Sequence, residues 1–363
     1  MSIVGESKVF LVTGGTGLVG RAVEEVVNQN NGNDYPGIRF VFIGSKDGDL
    51  SIYEEARKIF NQHKPNYVLH LAAMVGGLFK NESNNLSFFR INNLINDNIL
   101  RLCDELKVEK CVSCLSTCIF PDKTVYPIDE TMIHLGPPHA SNFGYSYAKR
   151  MIDVLNRGYA QKYDQQVKQL GDNYKRPIFT AVIPTNVYGP YDNFNLQDSH
   201  VIPGLIHKTY HQVQDAISKG SSEAQLTVCG SGKPLRQFIY SYDLARLMLW
   251  VTFNYQETEP IVLSVDEDQE ITINQAAQLI ADSFSKVAPD IKINLINDCN
   301  YSDGQLKKTA SNRKLRKYLP DFKFTPIEEG IRTSVKWFWN NYDFARNEHW
   351  IRNDSFKFEK KTL

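Results

Sequence analysis

Short β-branched runs alternate with longer amphipathic stretches through the first half of the chain, a rhythm that predicts parallel strands joined by crossover helices. Lys8–Thr13, Ile38–Ile43, Tyr67–Leu71, Lys110–Leu115 and Ile178–Ile183 read as strands of nearly continuous apolar character, as strands covered by helices on both faces must be. Between them the spacing predicts helices over Leu18–Asn28, Ile52–Gln62, Leu86–Leu106 and Tyr145–Tyr163. The order is that of an α/β protein built on a doubly wound parallel sheet.

The polar stretch Asp164–Pro177, with Gly171 and Pro177, predicts a surface loop inserted between a helix and the strand after it. Beyond residue 184 the pattern is mixed. Helices are expected over Pro203–Val213, Ser241–Phe253, Ile273–Phe284 and Pro326–Asn341, with short strands at Leu226–Val228 and Ile261–Ser264. This organisation divides the chain into a nucleotide-binding domain over 1–184, a smaller mixed α/β C-terminal lobe over 185–345 and a tail over 346–363. Segments near 240–265 are expected to return to the first domain, because Ile261–Ser264 is apolar enough to join the main sheet.

Composition narrows the function. The 363 residues carry 41 Lys+Arg against 41 Asp+Glu, so no global positive field exists to attract nucleic acid or an anionic membrane. No apolar run approaches the roughly 20 residues that span a bilayer, and the first residues lack the basic-then-apolar layout of a secretory leader. A cytoplasmic protein is expected. Six cysteines, at 103, 111, 114, 118, 229 and 299, are too sparse for a disulfide scaffold and point to reduced thiols. Cys111 and Cys114 have no second pair or histidine at zinc spacing, so no metal is expected.

The first strand runs directly into Gly14-Gly15-Thr16-Gly17-Leu18-Val19-Gly20. Gly14 and Gly17 let backbone approach a pyrophosphate, Gly20 allows close helix–sheet packing, and the helix N-terminus offers free N–H donors: a Rossmann-type cofactor turn. After the second strand stands Gly44-Ser45-Lys46, with no acid until Asp47. An NAD enzyme usually places a carboxylate there for the ribose hydroxyls, so NADP(H) is the expected cofactor, with Lys46 paired to its 2′-phosphate.

Tyr145 and Lys149 are four apart on one helix face, where an ammonium one turn away can lower the phenol's pKa. Such a tyrosine can give a proton to a carbonyl oxygen as hydride arrives at carbon. Ser116, at the carboxyl end of the fourth strand, can hydrogen-bond the same oxygen. Joined to the glycine turn, these residues resemble the extended short-chain dehydrogenase/reductase superfamily, as do Asp49-Leu50, Leu71-Ala72-Ala73, Asn92 and Asn98. The segments Leu71–Gly77, Ser116–Pro121, Pro184–Phe194, Ser199–Pro203 and Ser302-Asp303-Gly304 together are similar to the GDP-L-fucose synthase family, a likeness running from Val9 to about Tyr342.

That resemblance implies NADPH-dependent 3,5-epimerisation and 4-reduction of GDP-4-keto-6-deoxy-D-mannose. It assigns Cys118 and His200 as the epimerising acid/base pair beside the reductase triad Ser116, Tyr145 and Lys149. Chemistry supports both positions, since a ketone at carbon 4 acidifies the hydrogens at carbons 3 and 5, and a thiol and an imidazole both titrate near neutrality. The resemblance implies cofactor contacts at the glycine turn, Lys46, Asp49, Leu50, Leu71, Ala72, Ala73, Leu115, Tyr145, Lys149, Pro184, Asn186 and His200. It implies GDP-sugar contacts at Asn186, Lys208, Arg236, Asp303 and Lys308, and a homodimer formed through a four-helix bundle. Cys229 departs from the family, which commonly carries tryptophan there. Two alternatives stay open: another extended-type nucleotide-sugar 4-epimerase or 4,6-dehydratase, and a non-catalytic NADPH-binding sensor.

Overall fold

A parallel strand buried on both faces needs apolar residues at nearly every position, and β1 (Lys8–Thr13) meets this with five consecutive buried residues after an exposed Lys8. The computed structural model describes residues 7–29, 33–76, 78–171, 174–301, 303 and 305–347. After β1 the chain runs through α1 (Leu18–Asn28), β2 (Ile38–Ile43), α2 (Tyr53–His63), β3 (Tyr67–His70), α3 (Leu78–Glu105), β4 (Lys110–Cys114), α4 (Phe143–Leu170) and β5 (Ile178–Pro184). It continues through β6 (Asn186–Tyr188), α5 (Val201–Lys219), β7 (Glu223–Cys229), β8 (Leu235–Arg236), β9 (Phe238–Tyr240), α6 (Ser241–Asn254) and β10 (Ile261–Leu263). The last elements are β11 (Ile271–Thr272), α7 (Ile273–Phe284), β12 (Lys292–Asp298), α8 (Arg313–Tyr318) and α9 (Ile327–Asn340).

Two compact units result. The first comprises Met1–Val187, Leu235–Glu270 and Lys307–Thr325. Its six-stranded sheet has the order β10-β5-β4-β3-β1-β2, every pair parallel, and β10 joins β5 as the apolar run Ile261–Ser264 led one to expect. Alternation along β1 feeds two cores: Leu11 enters the layer with Ile99, Ile152 and Phe179, while Phe10 and Val12 enter the layer with Val23, Leu247 and Met248. The chain steps from β1 to β2 on one side and returns to β3 on the other, so the carboxyl end of β1 is a topological switch point.

Two helices differ from the sequence expectation. α3 begins eight residues early and kinks at Asn84, where φ is −137° and ψ 25°. α4 runs on to Leu170, so the first half of the expected loop at Asp164–Pro177 is helix. Polarity was a poor guide there, because Gln, Lys and Leu are good helix formers whatever their solvation. The helix stops at Gly171, whose φ of +85° suits glycine and whose N–H bonds the Val167 carbonyl at 2.9 Å. Tyr174 then folds back, its hydroxyl 2.9 Å from Gln166 Oε1.

The second unit comprises Tyr188–Pro234, Ile271–Leu306 and Pro326–Leu363. β7 and β12 pair in parallel from Glu223↔Lys292 to Cys229↔Asp298. β12 eluded the sequence reading because only intermediate or exposed positions occur along it. α5, α7 and α9 enclose a core that includes Ile206, Ile280, Phe284, Val335 and Phe338. Phe194 stacks on Phe338 with ring centres 4.3 Å apart, anchoring the loop that leads to α5.

Candidate active site

The glycine turn leaves β1 at the switch point. Gly14 has a φ of +69°, and a Cβ there would lie 2.9 Å from the Ala72 backbone nitrogen. A Cβ on Gly20 would stand 2.5 Å from Gly15 Cα, so α1 can only seat this closely with glycine at that position. Leu18, Val19 and Gly20 form the first turn of α1, where backbone N–H groups lack helical partners. Close backbone packing and free N–H groups at a helix N-terminus are the features that suit a dinucleotide pyrophosphate.

The end of β2 fits NADP rather than NAD. The Asp47 carboxylate accepts the Gly44 N–H at 2.7 Å, folding back on its own turn, and Lys46 lies at the tip. Asp49 is likewise engaged locally, accepting from the Ser51 N–H at 2.9 Å and its hydroxyl at 2.7 Å. The Leu50 side chain is buried in the core, while its carbonyl accepts from Asn98 at 3.0 Å.

Asparagines on α3 hold the strand ends that face this turn. Asn92 bonds both the N–H and the carbonyl of Met74, at 2.9 and 3.0 Å, fixing the segment after Leu71-Ala72-Ala73. Of the expected Leu71–Gly77 segment, Gly77 lies outside the described residues. Asn96 reaches His70 Nε2 at 3.1 Å, and His70 Nδ1 meets Thr13 Oγ1 at 2.9 Å. Thr13 Oγ1 in turn accepts the Ala72 N–H at 3.2 Å. Burial, aided by the Lys149 charge, lowers the His70 pKa to about 3, so this ring is neutral. Sequence reasoning missed His70 and Asn96; a lone histidine ending an apolar strand and an asparagine four residues after Asn92 were the available signals.

Ser116, Cys118, Tyr145 and Lys149 come together beyond the carboxyl end of β4. Ser116 caps the short turn Thr117–Ile119, its hydroxyl accepting the Cys118 N–H at 3.4 Å. The Lys149 ammonium donates to the Cys114 carbonyl at 2.8 Å and lies 5.8 Å from the centre of the Tyr145 ring. Burial lowers the lysine's pKa and raises the tyrosine's well above its ordinary value, with the Cys118 and Cys114 thiols adding to the rise. The expected depression of the phenol by Lys149 is not found. Desolvation of the ring outweighs an ammonium already committed to a carbonyl.

The same unit contributes Asn186, Arg236 and Lys308. Pro184 ends β5, and Leu115 bonds the Val182 carbonyl beside it at 2.8 Å. Asn186 Nδ2 donates to the Gln237 carbonyl at 2.8 Å. Buried Gln237 donates to the carbonyls of Val265 and Ala310 at 3.0 and 3.1 Å and accepts the Ala310 N–H at 2.7 Å. It thereby fastens the segment carrying Lys308 beside the strand carrying Arg236, a role the sequence did not reveal. Burial lowers the pKa of both cations, and Glu270 and Tyr126 support the charge of Arg236.

The second unit carries His200, Lys208 and Asp303. His200 stands at the N-cap position of α5, but its ring caps nothing, leaving the imidazole for other work. The ring reaches solvent yet is closely surrounded by protein atoms, which lowers its pKa, with Asp198 opposing the shift. Lys208 Nζ is 3.7 Å from the exposed sulfur of Cys229, the residue that departs from the tryptophan common in the family. Asp303 accepts from the Ser231 N–H at 2.8 Å and hydroxyl at 2.6 Å; its neighbours Ser302 and Gly304 lie outside the described residues, as does the tail from residue 348. Among the described residues no group of three or more His, Cys, Asp or Glu side chains could hold a metal ion, and no helix is long and apolar enough to cross a membrane.

A family model described as the NAD dependent epimerase/dehydratase family matches residues 10–265. The chain is 52% identical over 339 residues to a Drosophila melanogaster protein named "Probable GDP-L-fucose synthase", covering 93% of this chain and 99% of that one. It is 52% identical over 340 residues to GDP-L-fucose synthase of Dictyostelium discoideum, covering 93% and 98%. The solved structure of a GDP-L-fucose synthetase from Naegleria fowleri bound to NADP superposes with a TM-score of 0.84 at 48% identity, covering 94% of this chain and 95% of that one.

Proposed function

The chain belongs to the NAD-dependent epimerase/dehydratase family and, within it, to the GDP-L-fucose synthases, and from that premise we propose how its residues make GDP-L-fucose from GDP-4-keto-6-deoxy-D-mannose. The observation that supports the reading is the cluster of Cys118 with Ser116, Tyr145 and Lys149 beyond β4, a thiol beside a serine, a tyrosine and a lysine suited to carbonyl reduction. A 4-epimerase has no need of that thiol, and a sensor has no need of the triad.

The ketone makes the hydrogens at carbons 3 and 5 acidic, and Cys118 is the base that removes a proton from carbon. His200 is the second member of the acid/base pair that moves protons at these carbons. The raised pKa of Tyr145 keeps its phenol protonated at neutral pH, the form that can give a proton to the carbon-4 oxygen. Ser116 hydrogen-bonds that oxygen, and Lys149 holds positive charge near the phenol as it loses its proton. NADPH, held at the glycine turn and Lys46, supplies the hydride to carbon 4. Arg236 and Lys308, with Asn186, Lys208 and Asp303, bind the GDP moiety, the guanidinium being suited to two phosphate oxygens at once.

The reading includes a homodimer and a cytoplasmic setting. Leu86, Phe89 and Leu94 on α3 and Val154 on α4 are exposed apolar side chains on the two helices expected to form a four-helix bundle. Light scattering that finds only monomer at micromolar concentration overturns the dimer. Free thiols suit a reducing compartment. The test of the activity is NADPH absorbance with GDP-4-keto-6-deoxy-D-mannose and chromatography of the product against GDP-L-fucose. Oxidation with that product is expected; a cofactor that stays reduced while solvent deuterium enters the sugar overturns the reductase half.

A further inference from the structure

The turn that carries Cys118 is held by a single buried side chain from the helix that carries Tyr145 and Lys149. Arg150 is 5% exposed. Its Nε donates to the Ile119 carbonyl at 2.9 Å, its Nη2 donates to the same oxygen, and its Nη1 donates to the Gly136 carbonyl at 2.9 Å. The guanidinium also faces the Tyr147 ring, 5.3 Å from its centre. One planar group therefore spans two loop segments and fixes both to α4. Ile119 follows Cys118 directly, so the thiol cannot move away from α4 unless these bonds break.

We propose that Arg150 is a positioning residue for epimerisation, which locks the Cys118 turn against α4. This role follows from guanidinium chemistry. The planar fork serves two carbonyls in one geometry, where lysine offers a single flexible point charge. The Ile119 carbonyl belongs to the residue directly after Cys118, so these bonds act on the turn itself.

The inference rests on the role given to Cys118 above, and its test separates the two. Two variants test the lock: Arg150→Lys keeps the charge but cannot span Ile119 and Gly136, and Arg150→Gln keeps a donor but loses the charge. Each is purified and its NADPH affinity measured as a check of folding. Two quantities are then followed across pH: deuterium entry at carbons 3 and 5 of the substrate, and alkylation of Cys118 by iodoacetamide, read by peptide mass spectrometry. Arg150→Gln and Arg150→Lys are both expected to slow exchange at least ~10-fold, and to change the rate of Cys118 alkylation as the turn is released from α4. Wild-type exchange and alkylation in both variants overturn the proposal. Normal exchange in Cys118→Ser instead overturns the role of Cys118, whatever Arg150 does.

Discussion

The Lys149 ammonium is bonded to the Cys114 carbonyl at 2.8 Å rather than to the Tyr145 hydroxyl, so the lysine is anchored to the end of β4 while the phenol stays protonated by burial. In the proposed reaction Tyr145 gives its proton to the carbon-4 oxygen while carbon 4 accepts the hydride, and the acidity of carbons 3 and 5 does not depend on the phenol. Tyr145→Phe is expected to stop NADPH oxidation yet still permit deuterium exchange at carbons 3 and 5. Lys149→Met is expected to cut reduction roughly 10²–10⁴-fold. It also strands a carbonyl and costs about 1–3 kcal/mol of stability in a urea melt. Normal NADPH oxidation by Tyr145→Phe rules out this division of labour.

Epimerisation should fail in the opposite sense. Cys118→Ser and His200→Gln lose the groups proposed to move protons at carbon but leave the reductase triad intact. Deuterium entry at carbons 3 and 5, followed by NMR in heavy water, is expected to fall by roughly 10²–10⁴ in each. If Cys118→Ser exchanges at the normal rate, the thiol is a bystander.

Cofactor choice rests on the turn after β2. Asp47 is bonded to Gly44 at 2.7 Å and Lys46 occupies the tip, the position proposed to meet the 2′-phosphate of NADP where NAD enzymes place an acid. A charge-assisted contact contributes about 1.5–3 kcal/mol. Lys46→Ala is accordingly expected to lower the NADPH-to-NADH ratio of kcat/KM by at least ~10-fold. An unchanged ratio removes Lys46 from the site.

Legibility in the sequence followed the physics of each element. Strands buried on both faces carry an unbroken apolar signal, so β1, β5 and the return of β10 to the main sheet could be read directly. The glycine turn and the Tyr145/Lys149 spacing were readable because backbone sterics and helix periodicity restrict them to few residue types. β12 was not, since a partly exposed strand has no continuous apolar run. Arg150, Gln237 and Asn96 were missed for a different reason. Each works through backbone carbonyls brought close only by the fold, and a carbonyl leaves no mark on the sequence.

His70 gives the sheet a definite response to acid. It is fully buried between Thr13 and Asn96, with a folded-state pKa of about 3 against an ordinary value of 6.5. The unfolded chain therefore binds the extra proton between those values while the folded chain does not. Stability is unaffected by this ring above about pH 6.5 and falls as pH drops from there toward about 3, by up to about 1.4 kcal/mol per pH unit. Carboxylates add their own acid dependence, so the informative quantity is the difference between wild type and His70→Gln. At pH 7.5 the variant is expected to be less stable by about 1–3 kcal/mol, because the imidazole bridges two buried partners. Between pH 6.5 and 4 that gap should narrow and can reverse, as only the wild type resists the proton its unfolded chain takes up. Urea melts without cofactor at several pH values measure it; a gap constant from pH 7.5 to 4 means that His70 is not held neutral by the fold.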